Sequence, residues 1–104
     1  MFEEFLVKQF GGIGSFEITP EKYSCTRQFD GAYDNVYYEA KSGGFWTALE
    51  KSSQALNDFQ SKTIQKLNIA TDLGKIFEIH TNSLIPNKIK EWLIKKGISF
   101  HEWL

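Results

Sequence analysis

The sequence predicts an α/β fold with a mixed sheet, in the order helix, three-strand meander, helix, strand, helix, strand. Three observations point to it. Apolar residues recur at helical spacing near the start, in the middle and near the end of the chain, and the segments between them alternate at period two. Glycine, proline and Asp-Asn breaks fall where one period gives way to the other. At 104 residues the chain is expected to form one domain, 1–104, with a single core.

Phe2, Phe5, Leu6 and Phe10 mark a short amphipathic helix over residues 2–10, ended by Gly11-Gly12. Glu3 lies beside its apolar stripe and is expected to look inward, whereas Glu4 points away; acids in a first helical turn also have a plain dipole role. IGSFEIT, residues 13–19, reads as a strand that carries Glu17 and is closed by Pro20. Tyr23 to Tyr33 and Val36 to Lys41 complete the antiparallel meander. Phe45, Ala48, Leu49, Ser52, Leu56, Phe59, Thr63 and Leu67 then share one face of a helix that starts at Phe45, with Gly74 as its stop. Residues 75–82 form a strand with Ile76, Glu78 and His80 on one face and Phe77 and Ile79 on the other, expected to add in parallel. Ser83 and Pro86 open a last helix anchored by Trp92 and Leu93 and stopped by Gly97, and residues 98–104 form a final short strand.

Composition narrows the function. Apolar content of 41% with 15% aromatics is ample for a core, and no apolar run approaches the length of a membrane span, so a soluble protein is expected. The lone Cys25 has no partner for an internal disulfide and reads as an inert thiol in a reducing compartment. A net charge of −1 weighs against strong nonspecific binding to nucleic acid through charge alone. The charges are uneven, with seven acids and three bases up to Ala40, then nine lysines and six acids. That split fits a metal site flanked by phosphate contacts, and equally a solvated surface on which charges happen to cluster.

The chemistry concentrates in RQFDGAYDNVYYEAKSGG, residues 27–44. Asp34 and Asn35 both tolerate positive φ and suit a two-residue type I′ turn, which pairs Tyr33 with Val36. Counting outward sets Asp30 opposite Glu39, with Lys41 on the same face and Phe29, Tyr38 and Ala40 on the other. Facing carboxylates repel, and a divalent cation between them relieves the repulsion. Asp30 and Glu39 offer the hard oxygen ligands that suit Mg²⁺ or Mn²⁺, and Lys41 adds a positive charge for a phosphate. Asp34 competes with Asp30 if the turn is wider. Ser42, Gly43 and Gly44, opening a helix, offer backbone N–H groups to a phosphate, although any sharp strand-to-helix turn also needs glycine. No nucleophile elbow, P-loop or paired-cysteine motif is present, and His80 and His101 each read as a satisfied structural histidine. A hairpin with scattered charges leaves Asp30 opposite Glu39 unexplained.

Asp30, eight residues, then Glu39-Ala40-Lys41 resembles the PD-(D/E)xK motif of the restriction-endonuclease-like superfamily, and the element order is similar to its core. The wording RQFDG followed by YYEAKSGG and a helix resembles the C-terminal nuclease toxin domains of bacterial contact-dependent inhibition and other polymorphic toxins. The resemblance implies a Mg²⁺-dependent endonuclease with Asp30, Glu39 and Lys41 as its motif residues, Glu3 as the first-helix acid and Gln54 as a helix glutamine. It implies a tRNA or DNA substrate, tRNA before DNA, and a cognate immunity protein. Such a domain is secreted within a larger toxin and acts in the target-cell cytoplasm; a stand-alone protein would be cytoplasmic. Phenylalanine replaces the proline before Asp30, and the acidic balance departs from many nucleases. The competing expectations are a catalytically silent nucleic-acid-binding module and a housekeeping DNA repair or junction nuclease.

Overall fold

In the computed structural model, which describes residues 1–22 and 26–104, the chain runs α1 (Phe2–Phe10), β1 (Phe16–Ile18), β2 (Arg27–Phe29), β3 (Gly31–Tyr33), β4 (Val36–Lys41), α2 (Phe45–Lys51), α3 (Ser53–Asp72), β5 (Ile76–Thr81), α4 (Asn87–Lys95) and β6 (Ser99–Glu102). Cys25 and the first residues of the predicted Tyr23–Tyr33 strand lie outside the described residues. The main sheet has the order β3-β4-β5-β6, antiparallel between β3 and β4 and parallel thereafter. Helices α2 and α3 cross over from β4 to β5, and α4 from β5 to β6, so the strands after helices do add in parallel. This is a mixed α/β architecture.

Period-two alternation gives the sheet two buried faces. Phe77 and Ile79 of β5 join Trp46, Leu49, Phe59 and Leu93 in the larger core beneath α2, α3 and α4. Val36 and Tyr38 of β4 turn the other way and pack with Leu6, Phe2 and Phe10 of α1. Phe2, Leu6 and Phe10 therefore form the working stripe of α1 at four-residue spacing, while Phe5 is left 43% exposed against the edge of Trp103. Gly11, at φ 70°, closes the helix by donating its N–H to Val7 O at 2.8 Å.

The meander differs from expectation at Asp30. The ladder runs as counted from Tyr33–Val36 to Gly31–Tyr38, but the Asp30 N–H also reaches Tyr38 O, at 3.0 Å. Two residues thus oppose one, which is β-bulge geometry, and the predicted continuous strand breaks into β2 and β3. Beyond the bulge the faces exchange, so Phe29 joins the α3-side core with Tyr37 and Phe77 instead of sharing Tyr38's side. Strand β2 pairs with β1 in a separate two-stranded sheet, with Phe16 opposite Phe29. The predicted first strand is correspondingly short, Ile13 making only an isolated bridge to Ala32. Gly31 is required at the bulge because a Cβ there would lie 2.2 Å from the Tyr38 ring and hydroxyl.

Two further expectations are corrected. Only Asp34 of the turn takes positive φ, at 47°, so type I′, which needs both central residues there, does not form. The long central helix is two helices, because Ser52 adopts extended backbone (ψ 116°) and its side chain accepts the Ala55 N–H at 3.1 Å. Serine competes for the backbone in this way, which favours a cap over a helix interior.

Candidate active site

Glu39 is the centre of the arrangement. Its place on β4 points it beneath α3, where it is only 5% exposed, and burying a carboxylate is costly without partners. The Lys66 ammonium bonds Oε1, Lys41 Nζ stands 3.8 Å from the same oxygen, and the Asp30 N–H reaches Oε2 at 3.2 Å. Burial pushes the Glu39 carboxyl above its ordinary range, Lys66 pulls it back, Asp30 raises it further and Lys41 opposes.

The bulge re-aims Asp30. Its Oδ2 accepts the Ala40 N–H at 2.8 Å, so the side chain takes up a β4 donor just past the end of the ladder. From the other side α1 brings Glu3, which lines the same surface hollow as Asp30. Neighbouring carboxylates repel one another, and a cation between them relieves the repulsion. The neighbouring Asp30 carboxyl, and then burial, raise the Glu3 carboxyl; the chain's amino terminus and Lys41 oppose. Tyr38, 1% exposed, carries its hydroxyl without a hydrogen-bond partner among the described residues, and its phenol is raised by burial and then by the charges of Asp30 and Glu3.

The structure thus sets Glu39 and Lys41 in one cleft and Glu3 and Asp30 in another hollow, with the Asp30 N–H on Glu39 joining the two. Glu3 does not face inward as expected: it is exposed on α1 and meets Asp30 at the surface hollow that both line. Lys66 was not singled out from the sequence. Its signal was present, since it follows Phe59 and Thr63 on the buried side of the same helix at spacings of seven and three.

Other candidates are elsewhere. Asp34 is exposed at the hairpin tip, and Glu17 is exposed opposite Gln28 in the small sheet. Gln54 is exposed in the first turn of α3 and does not line the cleft beside Glu39. Ser42, Gly43 and Gly44 are exposed, with Gly43 at φ 60°, and the Phe45 N–H is already directed at Ser42 O, at 3.4 Å. Ser42 shares a surface hollow with Glu3 and Ala40.

Hard oxygen donors from Glu3, Asp30 and Glu39 have the chemistry for a magnesium-type ion. Among the described residues no group of three or more acidic, histidine or cysteine side chains converges to hold a metal unaided. The donor set therefore fits an ion bound by one or two carboxylates whose other positions go to water and substrate oxygens. A cleft of about 340 Å³ opens beside Glu39, Lys41 and Lys66, floored by Phe45, Phe59 and Ile79.

A second polar cluster lies under α1. Tyr33 donates its hydroxyl to Glu78 Oε1 at 2.9 Å, and the Trp103 indole N–H donates to His80 Nδ1, also at 2.9 Å. Since Nδ1 accepts, neutral His80 carries its proton on Nε2 and gives it to Glu78 at 2.9 Å. His80 is a satisfied structural residue, 4% exposed and ringed by Phe10, Tyr38 and Trp103.

No protein family, curated protein or solved structure matches the chain on comparison.

Proposed function

We propose that the chain is a metal-dependent nuclease that hydrolyses phosphodiester bonds. The observation that carries this reading is the buried Glu39, with two lysines on one of its oxygens and the Asp30 N–H on the other, next to the hollow that Glu3 and Asp30 line. Such a concentration of mutually repelling acids next to cations is a poor stabiliser and a good site for handling phosphate. Asp30 and Glu39 are the ligands for Mg²⁺ or Mn²⁺, which when bound supplies positive charge to the phosphoryl oxygens. Glu3, whose carboxyl the neighbouring Asp30 and burial raise above its ordinary range, is suited to accept the proton of the attacking water. Lys41, braced by the Phe45 ring 4.5 Å away, orients the phosphate and balances its charge. Lys66 pairs with Glu39 and opposes the burial that raises its carboxyl.

The motif resemblance extends the reading to a toxin domain that cleaves tRNA in preference to DNA. It would travel within a larger secreted protein, act in the cytoplasm of the target cell and be neutralised by an immunity protein. A small immunity gene found beside the coding sequence would support that role, and a repair operon there would favour a housekeeping nuclease instead. A catalytically silent nucleic-acid-binding module is the second reading. The observation favouring it is that Lys66 and the Asp30 N–H already engage both oxygens of Glu39.

Incubation of the purified protein with total tRNA and with duplex DNA, with Mg²⁺, Mn²⁺ or chelator, tests the proposal. Cleavage that requires the metal and disappears in Asp30→Ala supports it. Intact nucleic acid under every condition overturns the nuclease and leaves the module.

A further inference from the structure

We propose that the cleft between β4, α2 and α3 is a subsite for one unpaired nucleobase of the substrate strand. The proposal rests on the nuclease reading and adds the substrate class, a single-stranded or looped nucleic acid. The cleft is continuous with the site because Glu39, Lys41 and Lys66 form one of its walls. Away from them the lining turns apolar, with Phe45 and Phe59 packed edge to face at 5.6 Å and 67°. Ala48 and Ala55 also line it, and these short side chains leave room that a leucine would take. A polar strip remains along α3, made of Asp58, Lys62 and the buried Thr63.

That lining matches a nucleotide part by part. The flat faces of a base stack on aromatic and aliphatic side chains, and its edge carries the donors and acceptors that Asp58 and Thr63 can meet. The anionic end belongs with the lysines. Lys41 and Lys66 already share Glu39, whereas Lys62 forms no ion pair with any described residue and is free to meet a phosphate. With three ammonium groups against Asp58 and a Glu39 already neutralised, the rim attracts anions.

Size separates a single strand from a duplex. A volume of about 340 Å³ is at the lower end for small-molecule sites and holds a single nucleotide. A base inside a duplex is stacked and paired, so it must leave the helix before it can enter such a cleft. Unpaired loops pay little of that cost, which directs the enzyme to loops and single strands.

Nucleotide binding in chelator tests the subsite without any need for catalysis. Protein in EDTA is titrated with each nucleoside 5′-monophosphate, and with ribose 5-phosphate and inorganic phosphate as controls, while amide resonances are followed by NMR. At least one nucleotide is expected to bind about tenfold or more tighter than ribose 5-phosphate, the worth of one stacked base, and to shift Ala48, Ala55 and Phe59. Ala55→Leu and Ala48→Leu fill the cleft without touching an ionic group. Either variant, once its NMR spectrum shows the native fold, should lose that tenfold advantage and keep its affinity for phosphate. Nucleotides that bind no better than ribose 5-phosphate, or filled variants that bind nucleotide as the parent does, overturn the subsite. If nucleotides bind as expected but no nucleic acid is cleaved with metal, the subsite stands and the nuclease reading falls.

Discussion

Glu39 and Glu78 stand on neighbouring strands of one sheet, and their surroundings have opposite characters. Glu78 faces α1, where Tyr33 and His80 both donate to it and Trp103 in turn donates to His80. Those bonds hold the Glu78 carboxyl below its ordinary range, the His80 bond leading. The Tyr33 phenol that donates is pushed up to about 12 by burial and by Glu78. Glu39 faces α3, and there burial outweighs its partners and raises it, with Asp30 adding repulsion. A satisfied polar network fixes a fold, whereas acids held against their preference mark a place where something else is to be bound. On the nuclease proposal, the difference is that between a structural carboxylate, Glu78, and a working one, Glu39.

The sharpest way to break the comparison is to remove one charge from each cluster and read activity and stability together. Lys41→Ala should lower metal-dependent cleavage by about a thousandfold, the scale of losing a group that stabilises transition-state charge, and hardly change the melting temperature. Glu78→Gln should do the reverse. A Lys41→Ala protein that cleaves as the parent does would remove Lys41 from the site.

Lys66→Met comes next. It strands the Glu39 carboxylate in a buried setting, at a cost of about 3 kcal/mol by urea unfolding at neutral pH. Glu39→Gln in the same chain should restore most of that, because the neutral amide needs no counter-charge. A double mutant no more stable than Lys66→Met would mean that Lys66 acts by packing alone.

The two carboxylates should also give opposite pH dependence. The Glu39 carboxyl is raised on folding, so its contribution to stability is fully present below the ordinary carboxylate range and is lost as pH rises through its folded value. Glu78 is lowered, so its contribution is present above the ordinary range and is lost as pH falls through its folded value. In Glu78→Gln the acid-side loss should therefore flatten, with about 1 kcal/mol less stability at neutral pH from exchanging charged for neutral hydrogen bonds. In Glu39→Gln the decline toward neutral pH should shrink. Unfolding at several pH values between 3 and 8 checks both signs.

Much of the fold was legible because it is local. Helical spacing located α1 and α4, and period two put Glu39 and Lys41 on one face of β4 and Phe77 and Ile79 on the same side of β5. Register counting from the Asp34-Asn35 turn held to Gly31–Tyr38. It failed at Asp30, where a side chain takes the Ala40 N–H and the backbone doubles up on Tyr38 O, contacts that no alternation of residue types records. The separate β1–β2 sheet and the changed side of Phe29 follow from that one bulge. Lys66 and the Tyr33–Glu78–His80–Trp103 chain were hidden for a different reason. They join residues far apart in sequence, and only the parallel crossovers bring them into contact.

The smallest effect separates the two aspartates of the hairpin. Asp34 is nearer to Glu39 in sequence than Asp30, and a wider turn would have made it the ligand. In the structure it occupies the tip, exposed and at φ 47°, in the left-handed region where an aspartate is tolerated and glycine is at ease. Asp34→Gly should relieve that backbone and offset the added freedom of the unfolded chain, a net change of about +0.5 kcal/mol in stability. Since Asp34 touches neither Glu39 nor Glu78, cleavage and the pH dependence of unfolding should both stay as in the parent. Loss of metal-dependent cleavage in Asp34→Gly, together with retention in Asp30→Ala, would transfer the ligand role to Asp34 and require a hairpin that opens in the active state.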